Sequence, residues 1–273
     1  PTPSTVWWRP SRDRPAEVPD GIDRSGSSTH FPTVTPTDAT LPPPCVIHED
    51  EHLLVVNKPP GWNTHAPAPY AGEGIYDWLR HREPRWASLA IVHRLDKETS
   101  GILVFGRTSV ANRSLTEQFA RRMAHKRYLC ATDRPVSRDA FVVRNRLERV
   151  GDRYAAAVSR EGGDPAETRF RVVRRDGGLT WIEAEPVTGR THQIRVHAAG
   201  EGMPLLGDVL YGGTPAGRLH LHSARLQLQH PATGEDIVFE AAPDFASPAS
   251  RQFRDGFIDP RETTAHRVAH GAS

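Results

Sequence analysis

A polar stretch between two short apolar runs is the feature of this sequence that most constrains its fold. The stretch occupies residues 92–101 (VHRLDKETSG), and the apolar runs occupy residues 89–92 and 102–105. Apolar runs of this length, bounded by turn residues, are typical of buried strands. Loops carried by such strands are where a scaffold presents reactive groups. The stretch therefore predicts two buried strands joined by a chemically active surface turn.

Asp96 is the candidate reactive group of this turn, because Arg94 lies two residues before it and a Thr-Ser-Gly cluster follows it. A nucleophilic aspartate has to be ionised, and a nearby guanidinium lowers the pKa of a carboxyl group and orients it. An ordinary turn aspartate, which accepts hydrogen bonds from the amides of Glu98 or Thr99, explains the same residues. The residues alone leave both interpretations open.

Composition changes near both ends of the 273-residue chain. Residues 1–44 are rich in proline, and residues 244–273 carry Arg and His among Asp, Ala and Ser. Such segments bury too little apolar surface to offset the entropy lost on ordering. We therefore expect a leader without stable structure at residues 1–44, one folded domain at residues 45–243 and a poorly ordered tail at residues 244–273.

Charge and cysteine content narrow the class of protein only slightly. The chain has 35 Lys and Arg against 33 Asp and Glu, and this formal net charge of +2 is too small to indicate a nucleic-acid binder by itself. Cys45 and Cys130 lack metal-type spacing, and no signal segment or membrane-length apolar run is present. These features fit a reducing, cytoplasmic setting without a membrane.

Hydrophobic periodicity predicts many short strands and few helices. Helices are expected over residues 74–82, 109–125 and 191–200, with Ser109 and Thr191 as N-caps. Turn residues between alternating runs predict several antiparallel hairpins along the rest of the chain. This combination indicates the α+β class.

A strand predicted over residues 126–132 brings a basic and an aromatic side chain together. The period of two along a strand places Lys126, Tyr128 and Cys130 on the same face. Basic residues also cluster in the other polar stretches: Arg94, Lys97, Arg121, Arg122, Lys126, Arg127, Arg190 and Arg195. A cleft rimmed by them could hold phosphates, although solvated surface charges explain each residue singly.

Motifs of several other chemistries are absent from the sequence. It has no Gly-rich phosphate loop, no Gly-x-Ser-x-Gly elbow and no cysteine set for zinc. His192, His197, His220 and His222 could bind a metal, but ordinary structural histidines explain them as well, because no carboxylate accompanies them at ligand spacing.

The order of the polar motifs resembles that of the RluA-type pseudouridine synthases, which isomerise uridine within structured RNA. The motifs are Asn57-Lys58-Pro59-Pro60-Gly61, His93-Arg94-Leu95-Asp96 with Thr99-Ser100-Gly101, Lys126-Arg127-Tyr128, Gly189-Arg190-Thr191-His192-Gln193-Ile194-Arg195-Val196-His197, Gly207-Asp208 with Tyr211-Gly212, and Leu219-His220-Leu221-His222 with His230-Pro231. The resemblance covers residues 45–243, which would be the catalytic domain. It implies a mixed, mainly antiparallel sheet with flanking helices and a central RNA-binding cleft.

The resemblance also implies the residues of the catalytic centre. Asp96 would be the essential carboxylate, Tyr128 would lie against the flipped base, and Arg195 would pair with Asp96. No metal or redox cofactor is implied.

Contacts with structured RNA, either large-subunit rRNA or tRNA, would come from a second set of residues. Arg94 would enter the RNA stack, Leu221 would form an apolar wall, and Lys126 and Arg190 would contact phosphates or bases. A monomer is expected. Residues 1–44 do not resemble the small N-terminal RNA-binding domain that many relatives carry.

Two rival functions come from other classes of protein. The first is an inactive RNA-binding module that keeps the fold, against which the retained Asp96, Tyr128 and Arg195 argue. The second is a metal-dependent hydrolase built on the four histidines named above.

Overall fold

A computed structural model describes residues 44–66, 74–157 and 162–245. Its strands in chain order are β1 (Cys45–Glu49), β2 (Leu53–Lys58), β3 (Ala90–Ile91), β4 (Ser100–Gly106), β5 (His125–Thr132), β6 (Ala140–Val150), β7 (Arg153–Ala156), β8 (Asp164–Asp176), β9 (Leu179–Pro186), β10 (Leu221–Gln229) and β11 (Asp236–Glu240). Its helices are α1 (Ile75–Arg82), α2 (Ser109–Ala120) and α3 (Gln193–Gly200), with 3₁₀ turns at Pro84–Trp86 and Val209–Tyr211. None of the described helices combines the length and apolar character needed to cross a bilayer.

All of these strands join one sheet in the order β1-β2-β4-β10-β5-β9-β8-β6-β7, with β11 added to β10 and β3 to β4. The β4–β10 contact is parallel and pairs Ser100 with His222, whereas the other described pairs are antiparallel. The expected α+β class with a mixed, mainly antiparallel sheet and flanking helices is confirmed.

The centre of the sheet is covered on both faces. Leu54 and Val56 of β2 pack in the cluster that contains residues of α1 and α3, while Leu53 and Val55 pack in the cluster that contains residues of α2. Every residue of β4 is buried. Strands buried on both faces are continuously apolar, which explains the run at residues 102–105.

Four local expectations were wrong. The helix expected over residues 109–125 ends at Ala120, and His125 is the first residue of β5. The run at residues 89–92 forms only the two-residue strand β3, whose Ile91 is 38% exposed, because it meets β4 only at that strand's last residues. The N-cap of α2 is Thr108 rather than Ser109, since the Thr108 hydroxyl accepts the Ala111 amide. The N-cap of α3 is His192, in a left-handed conformation with φ of 55°, rather than Thr191.

The predicted terminal segments lie outside the described residues except for Pro44, Asp244 and Phe245. Asp244 forms an ion pair with Arg218. Phe245 stacks on Trp181 with ring centroids 6.1 Å apart. Phe245 therefore packs on β9, whereas the side chain of Asp244 is 68% exposed.

His93 fixes the start of the polar stretch to two neighbouring elements. Its Nε2 accepts the Val104 amide of β4 at 2.9 Å, and its ring stacks on Phe119 of α2 with centroids 4.5 Å apart. Burial, assisted by the charge of Lys126, lowers the pKa of His93 to about 3. The imidazole is therefore neutral in the folded protein.

We expect the folded protein to lose stability in acid partly through His93. Between its unfolded pKa of 6.5 and its folded pKa of about 3, the unfolded chain binds a proton that the folded chain excludes. The free energy of unfolding therefore falls as pH is lowered through this window. Urea unfolding across that range should show a smaller acid loss in His93→Gln, which keeps an acceptor but does not titrate. His65→Gln, at an exposed position, should retain the wild-type slope; equal slopes in all three proteins would contradict the assignment.

Candidate active site

The turn that carries Asp96 is closed by backbone groups. The Thr99 amide donates to the Asp96 carbonyl at 3.2 Å. Upstream, the Thr64 hydroxyl donates to the Leu95 carbonyl at 2.9 Å and accepts the Leu95 amide at 3.1 Å. An ordinary turn aspartate would accept the Thr99 amide with its side-chain carboxylate. Here the backbone carbonyl of Asp96 accepts that amide, so the carboxylate is not used to close the turn.

A buried lysine is hydrogen bonded to the backbone of the same turn. Lys58, at the end of β2, is completely buried, and its ammonium donates to the carbonyls of Pro59, Trp62 and Lys97 at 3.0, 2.8 and 3.1 Å. The Gly61 amide adds a bond of 2.8 Å to the Lys97 carbonyl. Burial lowers the pKa of Lys58 to about 7, and the neighbouring Asp96 and Glu98 charges oppose that shift. The lysine thus joins the loop at residues 59–62 to the Asp96 turn.

Gly101 allows the turn to enter the sheet. Its φ is +109°, and a Cβ at this position would lie 2.3 Å from the Ser223 carbonyl oxygen of β10. A side chain is therefore excluded both by backbone conformation and by space. On the neighbouring residue, the Ser100 hydroxyl lies 2.7 Å from Nδ1 of His222.

A solvent-open pocket of about 560 Å³ lies above this turn. The side chains named in the sequence analysis for catalysis and for RNA contact all line it: Asp96, Tyr128, Arg195, Arg94, Lys126, Arg190 and Leu221. The structure therefore brings all seven together, while their individual roles stay predictions.

Strands β5 and β10 supply the apolar wall of the pocket. They run antiparallel, with Tyr128 opposite Ser223 and Leu221 opposite Cys130. Tyr128 is hydrogen bonded to Ser223, and burial together with the charge of Asp96 raises the pKa of its hydroxyl. Tyr128 is therefore a neutral phenol near neutral pH.

Arg195 has a different partner from the one expected. Its Nε and Nη2 donate to both carboxylate oxygens of Asp208 at 2.8 and 2.7 Å, and its Nη1 lies 3.4 Å from Glu98. Its guanidinium also lies over the Tyr211 ring, 5.1 Å from the centroid. Asp208 thus occupies the bidentate edge of the guanidinium, and in this structure Arg195 acts on Asp96 only through its charge. The expected pairing of Arg195 with Asp96 stays a prediction.

This arrangement changes the electrostatics of Asp96. Burial raises the pKa of Asp96; His192, Arg195 and Arg94 oppose the increase, and Glu98 adds to it. The sequence led us to expect a pKa held down by a guanidinium. The direction is reversed because the half-buried carboxyl is desolvated while much of the charge of Arg195 is already neutralised.

The three remaining cationic side chains differ in how firmly they are held. Arg94 is exposed at the pocket. The guanidinium of Arg190 donates to the Pro165 carbonyl at 3.2 Å and lies 3.6 Å from Asp164. Burial lowers the pKa of Lys126. Of the three, Arg94 has the greatest freedom to meet a ligand.

Sequence reasoning did not connect several neighbouring residues with Asp96. They are Asp208, which holds Arg195; His192, whose Nδ1 lies 2.8 Å from the Tyr211 hydroxyl; and Thr99, which lines the pocket with a buried hydroxyl that has no partner among the described residues. All three lie in motifs named in the sequence analysis, but the motifs did not show which residues these side chains contact.

The four histidines proposed for a metal-dependent hydrolase have separate partners. His197 contacts Thr168 and Asn145, each at 2.8 Å, while His192 contacts Tyr211. Within the part of the chain that the structure describes, no group of three or more His, Cys, Asp or Glu side chains is placed to hold a metal ion. The geometry therefore contradicts that rival hypothesis.

Comparisons with known proteins agree with this architecture. A family model described as RNA pseudouridylate synthase matches residues 52–200, just over half of the chain. The structure resembles that of "Human RNA Pseudouridylate Synthase Domain Containing 1" with a TM-score of 0.63 and 24% identity, covering 74% of this chain and 84% of that one. The fold is thus that of pseudouridylate synthase domains. The chain belongs to the RNA pseudouridylate synthase family.

Curated relatives include ribosomal large subunit pseudouridine synthase C of Yersinia pestis, which is 39% identical over 214 residues. The protein of the same name from Escherichia coli (strain K12) is 39% identical over 215 residues. Each match covers 73% of this chain and 66% of the relative. The chain therefore spans slightly less than two thirds of these relatives' length.

We expect Lys58→Met to destabilise the fold. The substitution leaves three carbonyls without their donor, and each buried acceptor left unpaired costs about 1–3 kcal/mol. Urea unfolding should show a loss of about 2–4 kcal/mol, because the Pro59 and Trp62 carbonyls are only partly buried. Lys97→Met, at an exposed side chain on the same turn, is the matched control and should stay within about 0.5 kcal/mol of wild type. Equal stability of the two variants would contradict the role of Lys58.

The two carboxylates on Arg195 should differ in their effect on stability. Asp208→Asn breaks a bidentate pair whose side chains are 4% and 1% exposed, and we expect a loss of about 2–4 kcal/mol. Glu98→Gln changes a partner that is 50% exposed, and should cost less than about 1 kcal/mol. Chemical denaturation of both variants measures the difference. A larger loss in Glu98→Gln would show that the assignment of the main partner is wrong.

Proposed function

We propose that this protein isomerises uridine to pseudouridine in structured RNA. The observation that carries the proposal is one pocket, in a member of this family, that combines Asp96 with an aromatic and apolar wall and a cationic rim. An inactive binding module would not need a desolvated carboxylate at this position, because burying it costs free energy.

Access to the target uridine requires the base to leave the RNA stack. Unstacking costs a few kcal/mol, and enzymes that act on a flipped base offset this cost with binding energy. Arg94 is suited to offset this cost, because a guanidinium can fill the gap by stacking and also contact phosphate. Lys126 and Arg190 add positive charge where the backbone of the RNA would pass.

Asp96 performs the central step by one of two routes. In the first, its carboxylate attacks ribose C1′, the C1′–N1 bond breaks, and the bonding pair leaves with the uracil as an anion. In the second, the uracil departs first and Asp96 removes the C2′ proton to form a glycal. In both routes the uracil turns and C5 bonds to C1′. The first route releases the aspartyl ester at this step, and the second returns the proton to C2′.

Tyr128 and Leu221 hold the detached base while it turns. Tyr128 offers a ring face and Leu221 an apolar contact on the adjacent strand. The C5 proton must then leave and N1 must gain a proton, and these two transfers together restore the aromatic uracil. Tyr128 starts as a neutral phenol, so it can accept that proton only after giving up its own. The net reaction is an isomerisation without oxidation or reduction, and it requires no redox cofactor.

Large-subunit rRNA is the first substrate to test, and tRNA is the second. The names of the curated relatives support the first choice. All seven side chains of the proposed site belong to one chain, so a monomer suffices. A role in rRNA modification would place the protein in the cytoplasm.

Release of tritium from RNA labelled at uridine C5 tests the reaction directly. We expect the wild-type protein to release tritium from large-subunit rRNA or tRNA transcripts. Asp96→Ala and the isosteric Asp96→Asn should lower the rate by at least about 10³-fold, the scale for loss of an essential group. Asp139→Asn, whose side chain is 82% exposed, is the control and should retain the wild-type rate. No release by wild type from either RNA, or equal release by the Asp96 variants, would contradict the proposal.

A further inference from the structure

The guanidinium of Arg195 has two edges that are held very differently. Asp208 takes one edge through two bonds of 2.8 and 2.7 Å, and its side chain is 1% exposed. Glu98 takes the other edge through one contact of 3.4 Å, and its side chain is 50% exposed. Buried bidentate pairs are much stronger than exposed single contacts. Glu98 is therefore the partner that can leave.

Glu98 also opposes ionisation of its neighbour in the same turn. Its negative charge raises the pKa of Asp96, and it uses the edge of Arg195 that Asp208 leaves free. The charged and titratable groups that interact electrostatically with Asp96 come from several elements: Arg94 and Glu98 from its own turn, His192 and Arg195 from the start of α3, Lys58 from β2, Tyr128 from β5, and Tyr211 from the 3₁₀ turn at Val209–Tyr211. Among these, Glu98 is the other carboxylic acid, and it lies on the same turn as Asp96.

We propose that Glu98 is a positioning residue that holds the outer edge of the Arg195 guanidinium in the free protein and yields that edge to Asp96 when RNA enters the pocket. The inference rests on the proposed function, since RNA supplies the negative charge that displaces Glu98. Phosphates held by Arg94, Lys126 and Arg190 repel the Glu98 carboxylate. Half of that side chain already faces water, so it can turn outward without a new partner.

The exchange makes the reactive carboxylate dependent on substrate. In the free protein Asp96 is desolvated and short of positive charge, which favours its protonated form. In the RNA complex it gains an edge of Arg195, while Asp208 keeps the guanidinium oriented. Asp96 is then ionised to a greater extent where the ribose is present. No covalent bond changes in this step.

The pH dependence of two kinetic constants tests the exchange, because kcat/KM reports groups of the free enzyme and kcat reports groups of the complex. We expect the acid limb of kcat/KM to lie at higher pH than that of kcat in the wild-type protein. In Glu98→Gln the acid limb of kcat/KM should move to lower pH, with values about two- to fivefold above wild type at the acid end after normalisation to pH 8. The acid limb of kcat should not move.

Glu117→Gln is the matched control for this experiment. Glu117 is 51% exposed and lies 3.0 Å from Arg121, so it has nearly the same exposure and the same kind of partner as Glu98. It should reproduce both wild-type profiles. If neither profile of Glu98→Gln moves, Glu98 has no positioning role. If both profiles move equally, Glu98 stays on Arg195 in the complex and the exchange is excluded.

A measurement without catalysis separates this inference from the proposed function. Carbon-13 NMR titration of the Asp96 carboxyl in the free protein should give a lower pKa in Glu98→Gln than in wild type and in Glu117→Gln. An unchanged titration would refute the inference even if the enzyme makes pseudouridine. Absence of pseudouridine formation in the wild-type protein would instead refute the proposed function, whatever the titration shows.

Discussion

The site depends above all on one buried ammonium group. Lys58 donates to three carbonyls, two in the loop at residues 59–62 that follows its strand and one in the Asp96 turn. A lysine is an expensive group to bury completely, and free energy is recovered only if all three of its donors are satisfied. Three acceptors from two different loops meet that condition. The burial cost of one side chain thus enforces the relative position of two segments that lie 39 residues apart in sequence.

On the other side of the pocket, a buried arginine likewise depends on its partners. Arg195 is nearly inaccessible, so it requires a carboxylate that is equally buried, and Asp208 provides one with matching geometry. This pair fixes the guanidinium but reduces the field that it exerts on Asp96. The carboxylates of Asp96 and Asp208 therefore compete for the positive charge of Arg195. Glu98 is a third and weaker partner of Arg195, because it makes one contact of 3.4 Å and its side chain is half exposed.

The sequence predicted the elements of the fold better than their arrangement. Apolar runs and turn residues located nearly all of the described strands and all three helices, because those signals are local. The parallel contact that pairs Ser100 with His222 joins residues 122 positions apart and left no local signal. Errors arose where one side chain decided the outcome: Thr108 rather than Ser109 caps α2, and a left-handed His192 begins α3.

Prediction of the site was limited in the same way. The pocket side chains could be named because their motifs occur in a recognisable order along the chain, and the structure places them together. The partner of Arg195 could not be named, because the sequence does not show which of the acidic residues Asp96, Glu98 and Asp208 is buried beside it. Only burial distinguishes them: Asp208 is 2% exposed, Asp96 is half-buried and Glu98 is exposed. Ion-pair choice is thus a property of packing rather than of residue type.

A net charge of only +2 is compatible with RNA binding because the charge is unevenly distributed. On β8 and β9, exposed arginines are matched by glutamates, as in the pairs of Arg169 with Glu185 and Arg171 with Glu183. The pocket carries Arg94, Lys126, Arg190 and Arg195, with Asp96 as the one acidic side chain among its lining residues. Phosphate binding responds to local potential over about one Debye length, roughly 8–10 Å, and not to the total charge. The paired arginines on the sheet therefore add little, and RNA affinity should arise at the pocket where the cations outnumber the acids.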